Sequence, residues 1–414
     1  MVFYAITLKI IFSIVFVMKI ALVYDMIYPE SIGGAEFRNY LLAKELSKEN
    51  EVHVFSYRFG KDKVFERENV FYHGVRMFDG IYSFNGKRKA FEPLFFAFSL
   101  LYGLKKSKID FDIIDVSSFP YFPALMLLDF FKSKAKIVVL WHEFWDDYWD
   151  YYVKKPFSFI GKRIERRIAR KSKNNIFVSD LTKKRFLKVG KLQKNNLVIP
   201  NFISCSHMDN IKASDMKSDF VFVGRLMEHK NLEIIVHAIM RIKEKKKDVK
   251  CFIIGDGYMY SKIEAMIFER NLERNIIMLG KIADSDEVYS IMKASSVFLF
   301  PSSNEGFGIA ALEALFFGLP VATIDFEMNA TKDLITDETG SVVKSLDLSR
   351  ISDLRYSISQ FDHSYSSLVE RYSNAAFELL SKCSLMSSAC RKRAEDYDVS
   401  KIVPRIVLYY KKAV

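Results

Sequence analysis

The residue types and spacings best suited to chemistry fall in one segment. Pro301-Ser302-Ser303-Asn304-Glu305-Gly306-Phe307-Gly308 runs into Ile309-Ala310-Ala311-Leu312-Glu313-Ala314, which sets two carboxylates eight positions apart around two glycines. On one continuous helix Glu305 and Glu313 would stand roughly 12 Å apart and about 80° out of phase, too divergent for a shared ligand. They serve one ligand only if Glu305 lies in a loop and Glu313 in a helix starting near Phe307, and Gly306 and Gly308 suit such a loop. The backbone N–H groups of Gly306, Phe307, Gly308 and Ile309 would then face an anion. Earlier in the chain, Arg225 closes the strand-like run ending Val223-Gly224, and Lys230 follows five residues later. A planar guanidinium fork and a point-charge ammonium at that spacing can converge on one diphosphate. Gly33-Gly34 opens another helix, whose N-terminus also favours negative charge. His142 ends a further run, where an imidazole either meets a ligand or simply packs.

Side chains of this kind need elements that deliver strand ends to a cleft. The chain has 414 residues, too many for one ordinary core, and 50% of them are apolar; two globular domains are expected. Val- and Ile-rich runs at 19–25, 51–56, 112–116, 136–141, 175–179 and 196–200 alternate with helical periodicity, the pattern of buried parallel strands wrapped by helices. After the polar stretch 204–219 the rhythm restarts at 220–224, 249–255, 275–280, 296–301 and 320–324. The expected class is therefore α/β, two Rossmann-like doubly wound domains facing an interdomain cleft. The expected parts are an apolar extension 1–17, a first domain 18–203, a linker 204–219, a second domain 220–395 and a C-terminal helix 396–414 that can cross back to the first domain. Ligands of open α/β sheets sit beyond the carboxyl ends of the strands, so the cleft is where both sets of polar residues should meet.

Composition narrows the partners. The net charge is +12, which attracts phosphorylated ligands, anionic lipid or nucleic acid; no zinc-ligand spacing or RNA-binding aromatic signature supports nucleic acid. Four scattered cysteines do not make a disulfide scaffold and fit a reducing, cytoplasmic setting. Residues 1–18 are nearly all apolar, but Met18-Lys19-Ile20 already begins a strand. Met18 is therefore expected to be the true start, with a membrane-proximal anchor as the alternative. Asp284-Ser285-Asp286 has the look of a metal-binding pair but sits where a helix cap is expected, and no metal site is assigned. The aromatic stretch 148–159 followed by the basic helix 161–171 suits either docking on anionic lipid or a solvated helix packed by its apolar side.

Residues 220–345 resemble the second domain of glycosyltransferase family 4, whose members have the GT-B fold. The likeness rests on the Glu-x7-Glu segment 301–314, on Val223-Gly224-Arg225-Leu226 with Lys230-Asn231, and on Gly318-Leu319-Pro320-Val321, all in family order. The first domain agrees less sharply, through Met18–Val23, Gly33-Gly34, His142 and Val178-Ser179. The resemblance implies a retaining, metal-independent transfer of a hexose-type sugar from a UDP- or GDP-sugar to a glycan or lipid-linked hydroxyl, in glycan assembly at the inner face of the cell membrane, with no separate cofactor. By matching position, Glu305 would bind the sugar, Glu313 the ribose, and Arg225 and Lys230 the diphosphate. Lys281-Ile282 would meet the base, Gly33-Gly34 the phosphate or acceptor, and His142 the reactive face of the sugar. The backbone of Gly306–Ile309 and Leu312 would complete the donor site. A GT-B epimerase acting without acceptor, or a non-catalytic nucleotide-sugar-binding subunit, are the alternatives. Two segments depart from the family pattern: Asp325–Asp333 lacks the usual glycine pair, and Pro200-Asn201-Phe202 replaces a Pro-Asn-Gly turn.

Overall fold

Apolar runs of four to eight residues become strands because each can be buried on both faces, and the spaces between them are long enough for helical crossovers. The computed structural model describes residues 17–31, 33–80, 89, 91–190, 195–345 and 363–414; the expected apolar extension lies, but for Val17, outside them. Among the described residues the first sheet has eight strands: β1 (Lys19–Val23), β2 (Glu51–Arg58), β3 (Val64–Arg67), β4 (Val70–Met77), β5 (Ile113–Ser117), β6 (Lys136–Trp141), β7 (Asn174–Phe177) and β8 (Asn196–Val198). They lie in the order β3-β4-β2-β1-β5-β6-β7-β8, parallel except at the β3–β4 hairpin. The second sheet is β9 (Ser218–Val223), β10 (Cys251–Ile254), β11 (Ile276–Gly280), β12 (Ser295–Phe300), β14 (Val321–Ile324) and β16 (Gly340–Val343), all parallel, in the order β11-β10-β9-β12-β14-β16. A two-strand ribbon of β13 (Asn304–Glu305) and β15 (Met328–Asn329) sits beside it.

The α/β class and paired doubly wound sheets expected from the sequence are the observed architecture. The β3–β4 hairpin was not foreseen. Its turn uses Glu68 and Asn69 at φ 52° and 61° in place of glycine, and His73, Gly74 and Arg76 break the apolar run of β4 that would have announced a strand.

Helices cover both faces of the first sheet. α1 (Gly34–Leu46) packs on one face; α2 (Glu92–Ser107), α3 (Phe122–Phe130), α4 (Phe157–Lys171) and α5 (Asp180–Leu187) cover the other, around Phe96, Leu100, Leu127, Ile168 and Phe186. In the second half, α6 (Leu232–Lys245), α7 (Tyr260–Glu269), α8 (Ser285–Lys293), α9 (Ile309–Phe316) and the long α10 (His363–Glu395) enclose the sheet. The final helix, α11 (Val399–Ala413), returns to the first half and packs on α1. Its Tyr410 hydroxyl donates to the buried Asp115 carboxylate, beside the fully buried guanidinium of Arg38. Burial pushes the Asp115 carboxyl up to about 6. The two halves are thus tied together at the chain's end as well as across the cleft.

Each sheet reverses its winding direction beside its first strand, at β1/β5 and at β9/β12. A crevice opens where neighbouring crossovers leave in opposite directions. Those two crevices face one another.

Candidate functional site

A cleft of about 1690 Å³ lies between the sheets, and residues from both carboxyl edges line it. Gly33, Gly34, His142, Arg225, Lys230, Lys281, Ile282, Glu305, Gly306, Phe307, Gly308, Ile309 and Glu313 all contribute to its walls. Leu312 does not. It is fully buried because position 312 points from α9 into the core, and Glu313 beside it takes the cleft side. The substrate-contacting role expected for Leu312 is corrected on that ground.

The motif around residue 305 takes the split form its glycines allow. Glu305 lies in β13, outside any helix, and Glu313 lies in α9. The helix starts at Ile309, two residues later than expected, because Gly308 at φ 93° takes the left-handed conformation at the N-cap. A side chain at Gly308 would collide with Thr331 Oγ1 at 2.3 Å. Residues 325–333, where the sequence departs from the family pattern, hold this loop in place: Met328 and Asn329 pair with Asn304 and Glu305 in the ribbon. Asn329 anchors its own strand by donating to Thr323 Oγ1 at 3.0 Å and the Ile324 carbonyl at 2.8 Å.

The N-termini of α1 and α9 meet across the cleft. A Cβ on Gly34 would stand 3.1 Å from the Ile309 side chain, so the two helix ends present their free N–H groups to the same space. Arg225 and Lys230 flank it. Lys230 donates to Glu305 Oε1 in a largely buried ion pair and sits 5.0 Å from the centre of the Phe300 ring. Glu36, in the first turn of α1, faces Arg225; burial raises its carboxyl and the guanidinium partly offsets that rise. At Gly306 the two walls come close together: a Cβ there would lie 1.8 Å from the His142 carbonyl oxygen. Only glycine fits without separating the walls.

Glu313 accepts a hydrogen bond from the Tyr289 hydroxyl at 2.7 Å, and its carboxyl is pushed up to about 7 by loss of hydration. His142 has a buried Nε2 with no hydrogen-bond partner. Burial, with Arg38 nearby, pushes its imidazole down to about 3, so the ring is neutral at physiological pH. Next to it Glu143 accepts from Trp145 Nε1 at 2.5 Å and Asn304 Nδ2 at 3.3 Å. Burial raises its carboxyl, and the neighbouring Glu305 adds to that rise. Tyr289, Glu143, Asn304 and Glu36 belong to the site although spacing alone did not single them out. Glu143, flanking His142 at a strand end, and Glu36, beside Gly33-Gly34, carried the only signal.

The first-domain wall is aromatic, with Phe119, Tyr121, Trp145, Tyr148 and Tyr152 facing the cleft. Glu165 of α4 holds it in place, accepting from the Tyr121 hydroxyl at 2.7 Å and from the backbone N–H groups of Trp145 and Asp146 at 2.8 and 2.7 Å. Several cations of α4 pair with neighbouring acids. Lys162 binds Asp147 at 3.0 Å and Asp150 at 2.6 Å, Arg166 binds Asp146 at 2.6 Å, and Arg167 and Lys171 both bind Asp129. Four of its cations are thus paired with acids of the first domain. Asp284 accepts from the Asp286 N–H at 2.9 Å as a helix cap. Among the described residues no cluster of three or more His, Cys, Asp or Glu side chains is arranged to hold a metal ion.

Residues 32–207 match Glycosyltransferase Family 4, and residues 206–364 match Glycosyl transferases group 1. The chain belongs to the group 1 glycosyltransferases of family 4. An uncharacterized glycosyltransferase of Methanocaldococcus jannaschii, MJ1059, is 28% identical over 144 residues, 32% of this chain and 35% of that one. The matched segments take in between 27% and 35% of the length of three such archaeal relatives. Sucrose-phosphate synthase from Thermosynechococcus elongatus superposes with a TM-score of 0.74 at 16% identity, over 95% of this chain and 98% of that one. Anabaena HepE, solved with UDP and glucose, superposes with a TM-score of 0.63 at 16% identity, over 95% and 99% of the two chains. At such identities the likeness establishes the fold, which is GT-B.

Proposed function

We propose that this family 4 member transfers a hexose-type sugar from a nucleoside diphosphate sugar to a hydroxyl of a glycan or lipid-linked acceptor, with retention at the anomeric carbon. One observation carries the reading: two helix N-termini, Arg225 and Lys230 converge on one space that Glu305 and Glu313 border. That is a site built for a diphosphate joined to two polyols. HepE, of the same fold, was solved with UDP and glucose, which supports a uridine or similar nucleotide here.

In this reading the diphosphate draws Lys230 away from Glu305, and Glu305 turns to the hydroxyls of the sugar. Glu313, aligned by Tyr289, accepts from the ribose diol, and the 281–282 loop meets the base. As the glycosidic bond breaks, negative charge grows on the leaving diphosphate while the sugar gains oxocarbenium character. Arg225, Lys230 and the α9 N-terminus stabilise the leaving charge in place before it forms. These groups supply enough positive charge for a metal-independent reaction, so activity is expected to survive a chelator. The neutral His142 stands at the wall where the reactive face of the sugar would lie. The departing phosphate oxygen takes the acceptor proton, as the family resemblance implies.

The test is incubation with a panel of UDP- and GDP-sugars and glycan or polyprenyl-phosphate acceptors, followed by mass spectrometry. The expected result is one glycosylated product whose linkage keeps the donor's anomeric configuration. Release of an epimer or free sugar with every acceptor ignored would replace transfer with the epimerase reading. No turnover of any donor, despite tight nucleotide binding, would make the chain a binding subunit.

A further inference from the structure

A helix on the surface of an α/β sheet needs one apolar stripe, and α2 buries one: Pro93, Phe96, Ala97, Leu100 and Leu104. Its opposite side is apolar too. Phe91, Phe95, Phe98 and Tyr102 recur at steps of four, three and four residues, within an arc of about 60° and along about 16 Å of helix. They are 67%, 50%, 56% and 67% exposed. Isolated apolar side chains on a surface are ordinary, but a continuous row of four aromatic rings marks an interaction surface.

Charge selects the partner. The only acid of α2 is Glu92, which is mostly buried and bound by Arg76 at 3.1 Å. Cations border the row instead. Arg76 lies 5.3 Å from the Phe95 ring centre and Lys106 lies 5.7 Å from that of Tyr102, with Lys105 on the other flank. The same character continues on the neighbouring helices: α3 packs on α2 and α4 on α3, and α4 exposes Phe159 with Arg163 6.0 Å from its ring. Aromatic rings flanked by lysines, with no free acid on the helix, complement the headgroup layer of an anionic membrane.

We propose that α2 docks on anionic lipid, its aromatic row inserted at headgroup depth and its axis along the membrane plane. The row starts at the cleft edge of the domain. Tyr57, at the carboxyl end of β2, donates to the Glu92 carbonyl at 3.4 Å. Docking would therefore bring the aromatic acceptor wall close to the bilayer surface. Docking stands apart from the reaction proposed above; its use, presenting the cleft to a lipid-linked acceptor, rests on that reading.

The test is co-sedimentation of the full chain with vesicles of phosphatidylglycerol and phosphatidylcholine, against phosphatidylcholine alone. Wild type should sediment with the anionic vesicles and be released as salt rises. The F95S/F98S/Y102S variant should lose at least about ten-fold in partition coefficient with its melting temperature unchanged. K105E/K106E should lose binding to anionic vesicles while retaining the fold. A triple variant that partitions like wild type overturns the proposal, as does a wild-type chain that stays in the supernatant. A wild-type chain that ignores vesicles but dimerises through the row assigns the face to a second copy and equally overturns it. Hydrolysis of soluble donor, measured on the same preparations, should be equal in wild type and triple variant. Loss of donor turnover in both, with row-dependent vesicle binding, would defeat the reaction and leave docking intact.

Discussion

The two walls of the cleft are built in opposite ways. On the second-domain wall the polar groups come from short, contiguous stretches: Arg225 and Lys230 after one strand, Glu305 to Glu313 after another. They are paired through groups a ligand can replace, Lys230 with Glu305 and Tyr289 with Glu313. On the first-domain wall the groups are gathered from three separate places in the sequence: Tyr121, the stretch from His142 to Trp145, and Glu165. They are fixed by contacts that never open to the cleft, such as the three hydrogen bonds Glu165 accepts. In the reading proposed above this is a division of labour: the exchangeable wall takes the charged donor, and the rigid aromatic wall takes the acceptor.

Several substitutions sharpen or break that contrast. The largest effect should come from Lys230→Ala or Arg225→Ala, each costing on the order of 10²–10³ in turnover if it stabilises developing charge. Steady-state kinetics on the preferred donor checks this. Gly306→Ala comes next. Its methyl would meet the His142 carbonyl 1.8 Å away, so the walls must part, and a displacement near 1 Å costs about 10²-fold in rate. Small-angle scattering should report a wider cleft in the same variant. Glu165→Ala should strike the other wall alone, raising the acceptor KM about ten-fold through the donors it strands, while nucleotide affinity stays fixed; Glu165→Gln should recover part of the loss. Tyr289→Phe should raise the donor KM about five-fold by removing one hydrogen bond to Glu313, with acceptor KM unmoved.

The smallest effect is on stability against pH. Burial lifts the Glu313 carboxyl from 4.5 to about 7. Between those values the native state keeps a proton that the unfolded chain has lost, so stability falls as pH rises through the window. Glu313→Gln has no such proton. Its melting temperature relative to wild type should rise by a few degrees between pH 5 and pH 8. Differential scanning calorimetry would detect it; an unchanged difference would place Glu313 in an ordinary hydrated setting.

How much of this was legible in the sequence follows from the same contrast. The parallel sheets were readable because their strands are short runs apolar on both faces. The split placement of Glu305 and Glu313 was readable because eight helical residues cannot aim both at one ligand. What supports them was hidden. Thr331, which crowds Gly308, and Asn329, paired with Glu305, lie in the segment that departs from the family pattern, where no spacing signals a contact. Leu312 was misjudged because its backbone neighbours line the cleft, while its own side chain falls one position off the exposed arc. The ion pairs of the basic helix α4 were not legible either, since its counter-ions Asp129, Asp146, Asp147 and Asp150 sit on other elements. The aromatic row of α2 was equally present in the sequence. An aromatic at helical spacing looks the same whether it faces core or water, and only the fold shows that α2 has a second apolar side.

The central claim is that a nucleoside diphosphate is held between the α9 N-terminus, Arg225 and Lys230. Calorimetric titration of UDP and GDP into wild type and the Arg225→Ala/Lys230→Ala variant tests it directly. The account predicts saturable, one-site binding of at least one nucleotide to wild type, weakened by about 10² or more in the variant. Equal affinity in both proteins would contradict it.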